Sequence, residues 1–235
     1  MADTTTTLAA AKDKQDALIL SALNCAVFVK EYDGTFPERF TDETGKLLKL
    51  EGFKSIGEFQ KDAGVGLSFS RDVDGPEGYG SKGKRRYIVS NEGLTLSVTA
   101  QETRLNTIDI VYDVNTQSLV RDGVGNQADG GFIAKKNQGT RLPEYTVVVI
   151  GLDGLPGQEI YPLWIVPKMT MTAADDISLS DSGAIEYGLK FEASEDATYG
   201  ALYGVGIVGP GMSDGTLLTL MAGEEPAAPV EEETP

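Results

Sequence analysis

The chain has 235 residues, with 36 acidic side chains, 20 basic side chains and no histidine, so its net charge at pH 7 is −16. This acidity argues against non-specific nucleic-acid binding, which depends on Lys and Arg side chains that neutralise phosphates. The commonest general base and metal ligand is missing, and the single cysteine, Cys25, excludes an internal disulfide and a thiolate zinc site. We therefore predict a protein that is not an enzyme and that holds no cofactor and no metal.

The first segment, residues 1–19, is predicted to form an N-terminal arm. It begins with a threonine-rich run that lacks the positive region of a signal peptide, and charged residues soon interrupt the apolar run at 8–11. No stretch of the sequence reaches the roughly 18 apolar residues that a transmembrane helix needs. We therefore expect no membrane insertion.

Hydrophobic alternation predicts strands through residues 20–222, which we interpret as a single β domain. Apolar and polar residues alternate with the period of a strand at 23–29, 94–100 and 185–193. The continuous apolar run at 145–150 predicts a strand that is covered on both faces, and a turn then leads to a returning strand at 160–166.

The returning strand contains a proline. Met169 and Met171 continue its apolar pattern beyond Pro167. Because proline cannot donate a backbone hydrogen bond, we expect either an edge strand or a bulge at this point.

Helix signals are few. Leu105, Ile108, Val111 and Tyr112 lie three and four residues apart and predict a helix that packs on the sheet, although the β-branched residues among them are compatible with a strand. A second short helix is predicted at about 54–61 from apolar residues spaced by three. The expected fold class is therefore mainly β with one or two flanking helices.

Two segments are predicted to be flexible. The first is a glycine-rich loop near 70–90, which would become ordered on assembly. The second is an acidic tail at 223–235, whose five Glu and three Pro residues cannot bury enough apolar surface to offset their ordering entropy. Without the five tail glutamates the net charge of −16 becomes −11.

Three apparent motifs are interpreted as structural. The segment at 204–209 matches the G-x-G-x-x-G pattern, but Pro210 follows it where a nucleotide-binding motif needs a helix, so a glycine-rich strand or loop is predicted. The segment at 72–75 lacks the ligand series of a calcium loop and indicates an Asp-Gly turn. Cys25 is expected in the core or in a subunit contact.

One basic cluster interrupts the acidic sequence. Lys84, Arg85 and Arg86 lie between Tyr79 and Tyr87. In a chain of this acidity we predict that these five residues form an inter-subunit contact in which the basic side chains meet carboxylates of a neighbour. A simply solvated cluster is the alternative.

Several segments follow one another in a characteristic order between about residues 20 and 200. They are the stretches 52–57, 61–68, 78–81, 85–89 and 94–103, the hairpin at 145–167 and the strand at 185–193. Together they resemble the major tail protein, or tail tube protein, of long-tailed, non-contractile bacteriophages (siphoviruses), in particular those of actinobacterial hosts.

The resemblance implies a β-sandwich-like barrel, six copies of which close a ring. Stacked rings would form the tail tube that conducts the genome into the host, with tape-measure, tail terminator and tail-tip proteins as further partners. The implied location is the virion, after assembly in the host cytoplasm. No catalytic residue is implied, and double-stranded DNA would pass without specific binding.

We further predict that the lumen of such a tube is electronegative. Glu186 and Glu192, on the polar face of the strand at 185–193, are the candidates for this lining. Inward carboxylates would repel the DNA backbone, whereas Lys or Arg would release counterions and hold it.

Two other classes of protein remain open on the sequence. One is another β-rich virion or surface protein, such as a capsid decoration protein or an adhesin, which would not form hollow tubes. The other is a carboxylate-based enzyme, which would require a concave pocket that holds two carboxylates of shifted pKa.

Overall fold

The computed structural model of the chain describes residues 7–80, 82–139, 141–181 and 183–223. The first six residues of the predicted N-terminal arm and residues 224–235 of the predicted acidic tail lie outside the described residues. The strands are β1 (Asn24–Glu31), β2 (Lys54–Ser55), β3 (Val65–Asp74), β4 (Ile88–Ala100), β5 (Glu144–Leu152), β6 (Tyr161–Ala174), β7 (Tyr187–Ala193) and β8 (Gly204–Val208). The helices are α1 (Leu8–Ala11), α2 (Leu105–Tyr112) and α3 (Thr216–Met221).

The eight strands form one antiparallel sheet, which confirms the mainly β fold class. Its order is β2-β1-β5-β6-β7-β4-β3. Strand β8 lies off this path and pairs with the first half of β6, from Tyr161 to Ile165, whereas β7 pairs with the second half, from Met169 to Ala174. The long β6 therefore has two different neighbours along one of its edges.

Strand β5 is buried on both faces, as its continuous apolar sequence predicts. Val147 and Val149 pack into the main core, which also contains the inward residues of β1, β4 and β7. Val148 and Ile150 point the other way into a smaller core with Leu163. Since successive side chains of a strand point to opposite faces, one uninterrupted apolar run supplies both cores.

The proline of β6 lies at a bulge in the interior of the sheet. The pairing of β5 with β6 shifts between Tyr145 and Val147, so that Thr146 faces Pro167 and Lys168 together. The buried Thr146 hydroxyl donates a hydrogen bond of 2.8 Å to the Pro167 carbonyl oxygen. Of the two predicted alternatives, the bulge is confirmed and the edge strand is wrong.

Helix α2 is confirmed with the predicted limits, and it packs against β6 and β7. It ends at Asp113, which adopts the left-handed conformation with φ of 50°. The helix predicted at 54–61 is wrong. Lys54 and Ser55 form β2 beside β1, and Phe59 makes a single bridge to Ala100. The apolar spacing that indicated a helix arises because an irregular segment turns two side chains towards the core.

The main core generates the first prediction. Phe191 is fully buried at the centre of the sheet, with its ring centroid 6.1 Å from that of Tyr145. Replacing Phe191 with Ala removes apolar contacts and leaves a cavity, so we expect the free energy of unfolding to fall by about 3–5 kcal/mol. Urea unfolding of the unassembled protein measures this loss. The exposed neighbour supplies the control, Lys190→Ala, which should change the free energy of unfolding by no more than about 0.5 kcal/mol; equal losses in the two variants would contradict the assignment of the core.

Candidate assembly surfaces

A two-stranded extension of the sheet reaches beyond the body of the protein. The last pair between β4 and β7 joins Thr95 to Glu192, but β3 and β4 stay paired with each other from there to Asp74 and Ile88. We call residues 69–93 the hairpin arm. Strand pairing thus occupies both ends of the segment predicted as a loop near 70–90, and only 75–87 connects the strands.

The side of the hairpin arm that continues the inward face of the body carries exposed apolar residues. Val73 lies opposite Val89, on the side of the arm that continues the inward face of the body, and these two side chains are 44% and 49% exposed. Asp72 lies opposite Asn91 on the other side. At the base of the arm the ring of Phe69 contacts Tyr203, with centroids 5.2 Å apart. We call Phe69, Val73 and Val89 the apolar stripe, which is exposed and which the ion pair of Arg71 with Glu92 interrupts.

The connecting segment brings the predicted basic cluster to the tip of the hairpin arm. Lys84 is paired within its own chain, because its Nζ lies 3.0 Å from Asp74 Oδ1 and 3.1 Å from the Val73 carbonyl oxygen. This hydrogen bond lowers the pKa of Asp74, and the backbone N–H of Gly75 adds to the effect. Arg85 and Arg86 are exposed and have no carboxylate partner among the described residues.

The two tyrosines that flank the cluster are also exposed. Tyr79 is completely exposed and Tyr87 is 69% exposed. The structure thus places Tyr79, Tyr87 and the three basic residues in one segment at the tip. Among the residues that the structure describes, only Lys84 of this cluster has an ionic partner.

The predicted lumen residues share one polar face of the sheet. Glu192 lies opposite Thr95 on β4 and Thr170 on β6. Glu186 comes just before β7 on the same side, and its Oε1 accepts a hydrogen bond of 2.8 Å from Gln101 Nε2. We call the outward side of β4 and β7, from Glu186 to Glu192, the hydroxyl face, because Thr95, Ser97 and Thr99 line it.

Two charged residues of the hydroxyl face escaped the sequence prediction. Lys190 lies opposite Ser97, between the two glutamates, and the alternation of β7 was sufficient to place it there. The Asp175 carboxylate covers the outward side of Gly188, so a side chain on that glycine would collide with it. The alternation of β7 carries no signal for Asp175, because that residue reaches the face from the loop that follows β6. Three carboxylates and one ammonium group therefore share this face.

The remaining candidate motifs are structural where the structure describes them. Residues 204–208 form β8, and Gly204 is packed so tightly that a Cβ atom would lie 2.9 Å from Ile165 Cγ2. Cys25 is half-buried on β1, and burial raises the pKa of its thiol.

Two further findings concern the described residues alone. They contain no group of three or more acidic, cysteine or histidine side chains arranged to hold a metal ion. None of the helices that the structure describes is long and apolar enough to cross a membrane.

Comparison with known proteins gives distant structural similarities and one family match. A chain of the virion of a native gene transfer agent particle is 12% identical over 61% of this chain and 85% of its own, with a TM-score of 0.33. A chain of the anti-feeding prophage baseplate, solved by cryo-electron microscopy with six-fold symmetry, is 14% identical over 81% of this chain and 97% of its own, with a TM-score of 0.39. No curated protein matches the chain.

The family match extends over almost all of the β domain. The model described as phage tail tube protein matches residues 11–204, from the N-terminal segment to the first residue of β8. The chain therefore belongs to the phage tail tube protein family and is a structural component of a phage tail.

Proposed function

We propose that this chain assembles with copies of itself into stacked rings that form the tail tube of a long-tailed, non-contractile phage. Six copies close each ring, and the genome passes through the channel without specific binding. Assembly takes place in the host cytoplasm, and the tape-measure, tail terminator and tail-tip proteins are the other partners. The family match is the observation that carries this proposal.

The shape of the hairpin arm supports self-assembly. A solvated two-stranded hairpin with an apolar stripe is only marginally stable by itself, and exposed apolar stripes mark interaction surfaces. A second copy that covers Val73 and Val89 buries the stripe and removes the exposed strand edges of the arm.

The hydroxyl face supports a water-filled channel. It is a sheet face of Thr, Ser and Gln side chains that leaves no apolar residue to be covered, and its carboxylates outnumber its single ammonium group. Negative charge on such a lining repels phosphates, so a DNA duplex in the channel stays hydrated and is free to slide.

Purified protein tests the proposal as a whole. Negative-stain electron microscopy at increasing protein concentration should show rings and hollow tubes of uniform diameter. A protein that stays monomeric at every concentration and salt condition would contradict a role as the building block of the tube.

The hairpin arm generates the second prediction. Val89→Lys places a charge in the apolar stripe, where burial of the valine is worth about 1.5–3 kcal/mol. We therefore expect the protein concentration that is needed for tube formation to rise roughly tenfold or more, since each 1.4 kcal/mol changes an equilibrium tenfold. Pelleting of tubes measures this concentration, and the melting temperature of the unassembled variant should be unchanged.

The matched control lies on the same strand with its side chain on the opposite face. Asn91→Lys adds the same charge to the polar face of the hairpin arm, and it should leave tube formation within a factor of three of the unmodified chain. Equal inhibition by both variants would mean that charge on the arm, and not loss of the apolar stripe, prevents assembly.

The hydroxyl face generates the third prediction. In a chain with Cys25→Ser and Glu192→Cys, assembled tubes should react with a small maleimide, but a maleimide carried on a particle wider than the channel should not reach the new thiol. Unassembled protein should react with both reagents. Equal reaction of tubes with the wide reagent would place Glu192 outside the channel.

A further inference from the structure

A cleft of about 730 Å³ lies between the end of β1 and helix α2, away from the hairpin arm and the hydroxyl face. Its lining is rich in hydrogen-bond acceptors that come from three segments distant in sequence. The carboxylates are those of Glu31, Asp33, Asp109 and Asp113, and the amides are those of Asn106, Asn115, Gln117 and Asn137. We call it the acidic cleft.

Two carboxylates of the acidic cleft are held in place at the C-terminal end of α2. Asp109 accepts the backbone N–H of Thr116 at 2.6 Å, and Asp113 accepts the side-chain amide of Asn137 at 3.3 Å. The C-terminal end of a helix carries partial negative charge. The helix end and the two fixed carboxylates therefore add their potentials in the same place.

The other wall of the cleft leaves one carboxylate without a partner. Lys30 and Asp33 both line the cleft, and Lys30 Nζ forms an ion pair with Asp33 Oδ1 at a distance of 2.8 Å. Glu31 lies between these residues and has no ion-pair partner among the described residues, and it is exposed. Lys54 is the remaining basic residue of the lining, so the acidic cleft carries more negative than positive charge.

A tyrosine side chain also lines the cleft. Tyr145 is only 7% exposed, and its ring packs against Phe191 in the main core. Its hydroxyl group has no hydrogen-bond partner among the described residues. Burial raises the pKa of Tyr145, and the charges of Glu31, Asp113 and Asp109 raise it further, so the hydroxyl stays protonated and neutral at physiological pH. The cleft therefore offers a neutral hydroxyl oxygen beside its carboxylates.

The chemistry of the acidic cleft fits a guanidinium group. Carboxylate, amide and hydroxyl oxygens all accept hydrogen bonds, and a guanidinium group offers five donors in a planar fork together with a positive charge. A compact metal ion fits less well, because Asp109, Asp113 and Asp33 already have donors from their own chain.

The tip of the hairpin arm carries two such groups, those of Arg85 and Arg86, which have no ionic partner within the described part of the chain. Strand registers show that the tip and the cleft lie in opposite directions along the sheet. Tyr145 pairs with Met169, which pairs with Ala193, and the arm leaves the body beside this row. The hairpin arm extends from this row towards the end of the sheet at which β5 finishes. The cleft lies at the opposite end, where β5 begins and Glu31 pairs with Tyr145.

We propose that the acidic cleft binds an arginine of the hairpin arm of a second copy of this chain. The contact is heterologous, because one end of each copy meets the opposite end of the next, and such contacts repeat without limit along a filament. The inference rests on the proposed assembly into stacked rings and adds the site at which one copy receives the next.

Charge exchange between the two sides tests the contact. Glu31→Lys should raise the protein concentration required for tubes at least tenfold, and so should at least one of Arg85→Glu and Arg86→Glu. Combining Glu31→Lys with that arginine variant restores an opposite-charge pair, and the concentration should return to within about threefold of the unmodified chain. Reduced salt dependence of assembly in each single variant is the accompanying signature.

Glu43→Lys is the control, because Glu43 is exposed and lies outside the acidic cleft. It makes the same change in net charge, and it should neither inhibit assembly nor rescue either arginine variant. Rescue by Glu43→Lys as well, or no rescue by Glu31→Lys, would overturn the proposed contact. A rise in the melting temperature of the unassembled chain with Ca²⁺ or Mg²⁺, abolished by Glu31→Lys, would assign the cleft to a metal ion and overturn it too.

The two proposals fail in different ways. If the unmodified chain forms tubes but no pair of reversed charges restores them, the tail tube assembly stands and the acidic cleft is not the receiving site. If the unmodified chain forms no tubes under any condition, the proposed assembly fails and the contact fails with it.

Discussion

Burial of β5 on both faces is the constraint on which the rest of the structure depends. A strand in this position must have a covering layer on each side, and the chain provides these layers by different means. The inward side chains of β1, β4 and β7 cover one face, and the aromatic residues of the irregular segment 32–53, together with β8, cover the other. The body of the protein is therefore an arrangement in which both faces of one apolar strand are covered.

The division of β6 follows from this arrangement. A strand that pairs with β8 along its first half and with β7 along its second half has to change direction between them. The bulge opposite Thr146 makes this change, and Pro167 tolerates it because a residue that lacks an N–H loses nothing where the ladder is interrupted. The other edge of β7 pairs with β4, and the first part of β4 extends beyond the body as one strand of the hairpin arm.

Periodicity in the sequence predicted the elements whose residues alternate or repeat over several turns. Strands β1, β4, β6 and β7 and helix α2 belong to this group, because burial of one side leaves a pattern in each of them. Strand β5 was predicted from its continuous apolar run, whereas β2 and β3 were not predicted as strands. The helix at 54–61 was predicted wrongly, since two apolar residues spaced by three carry too little information to distinguish a helical turn from an irregular segment. The limits of the hairpin arm were missed because its strands have few inward neighbours, so glycine and charge dominate the local composition and resemble a loop.

The surfaces were less accessible to sequence reasoning than the core. The basic cluster could be found because its residues are contiguous, and Glu186 and Glu192 because they lie on the polar side of one alternating stretch of sequence. The acidic cleft could not be found in this way, since its carboxylates come from β1, from the segment that follows β1 and from the end of α2. The pairing of β1 with β5 and the packing of α2 on β6 and β7 bring these groups together, and no local pattern encodes either of them.

The pairing of β1 with β5 also has a consequence for the order of folding. Asn24 pairs with Leu152, so this ladder joins segments that are separated by most of the domain, whereas β3 and β4 are adjacent in the chain. Contacts between distant segments form late, because the entropy of closing a long loop has to be lost before any pairing compensates for it. The hairpin arm is thus complete on a nascent chain well before β1 reaches its place. Any surface that β1 helps to build, including the acidic cleft, appears only on a finished subunit, so an incomplete chain presents the hairpin arm before it has the cleft that we propose receives the arm of another copy.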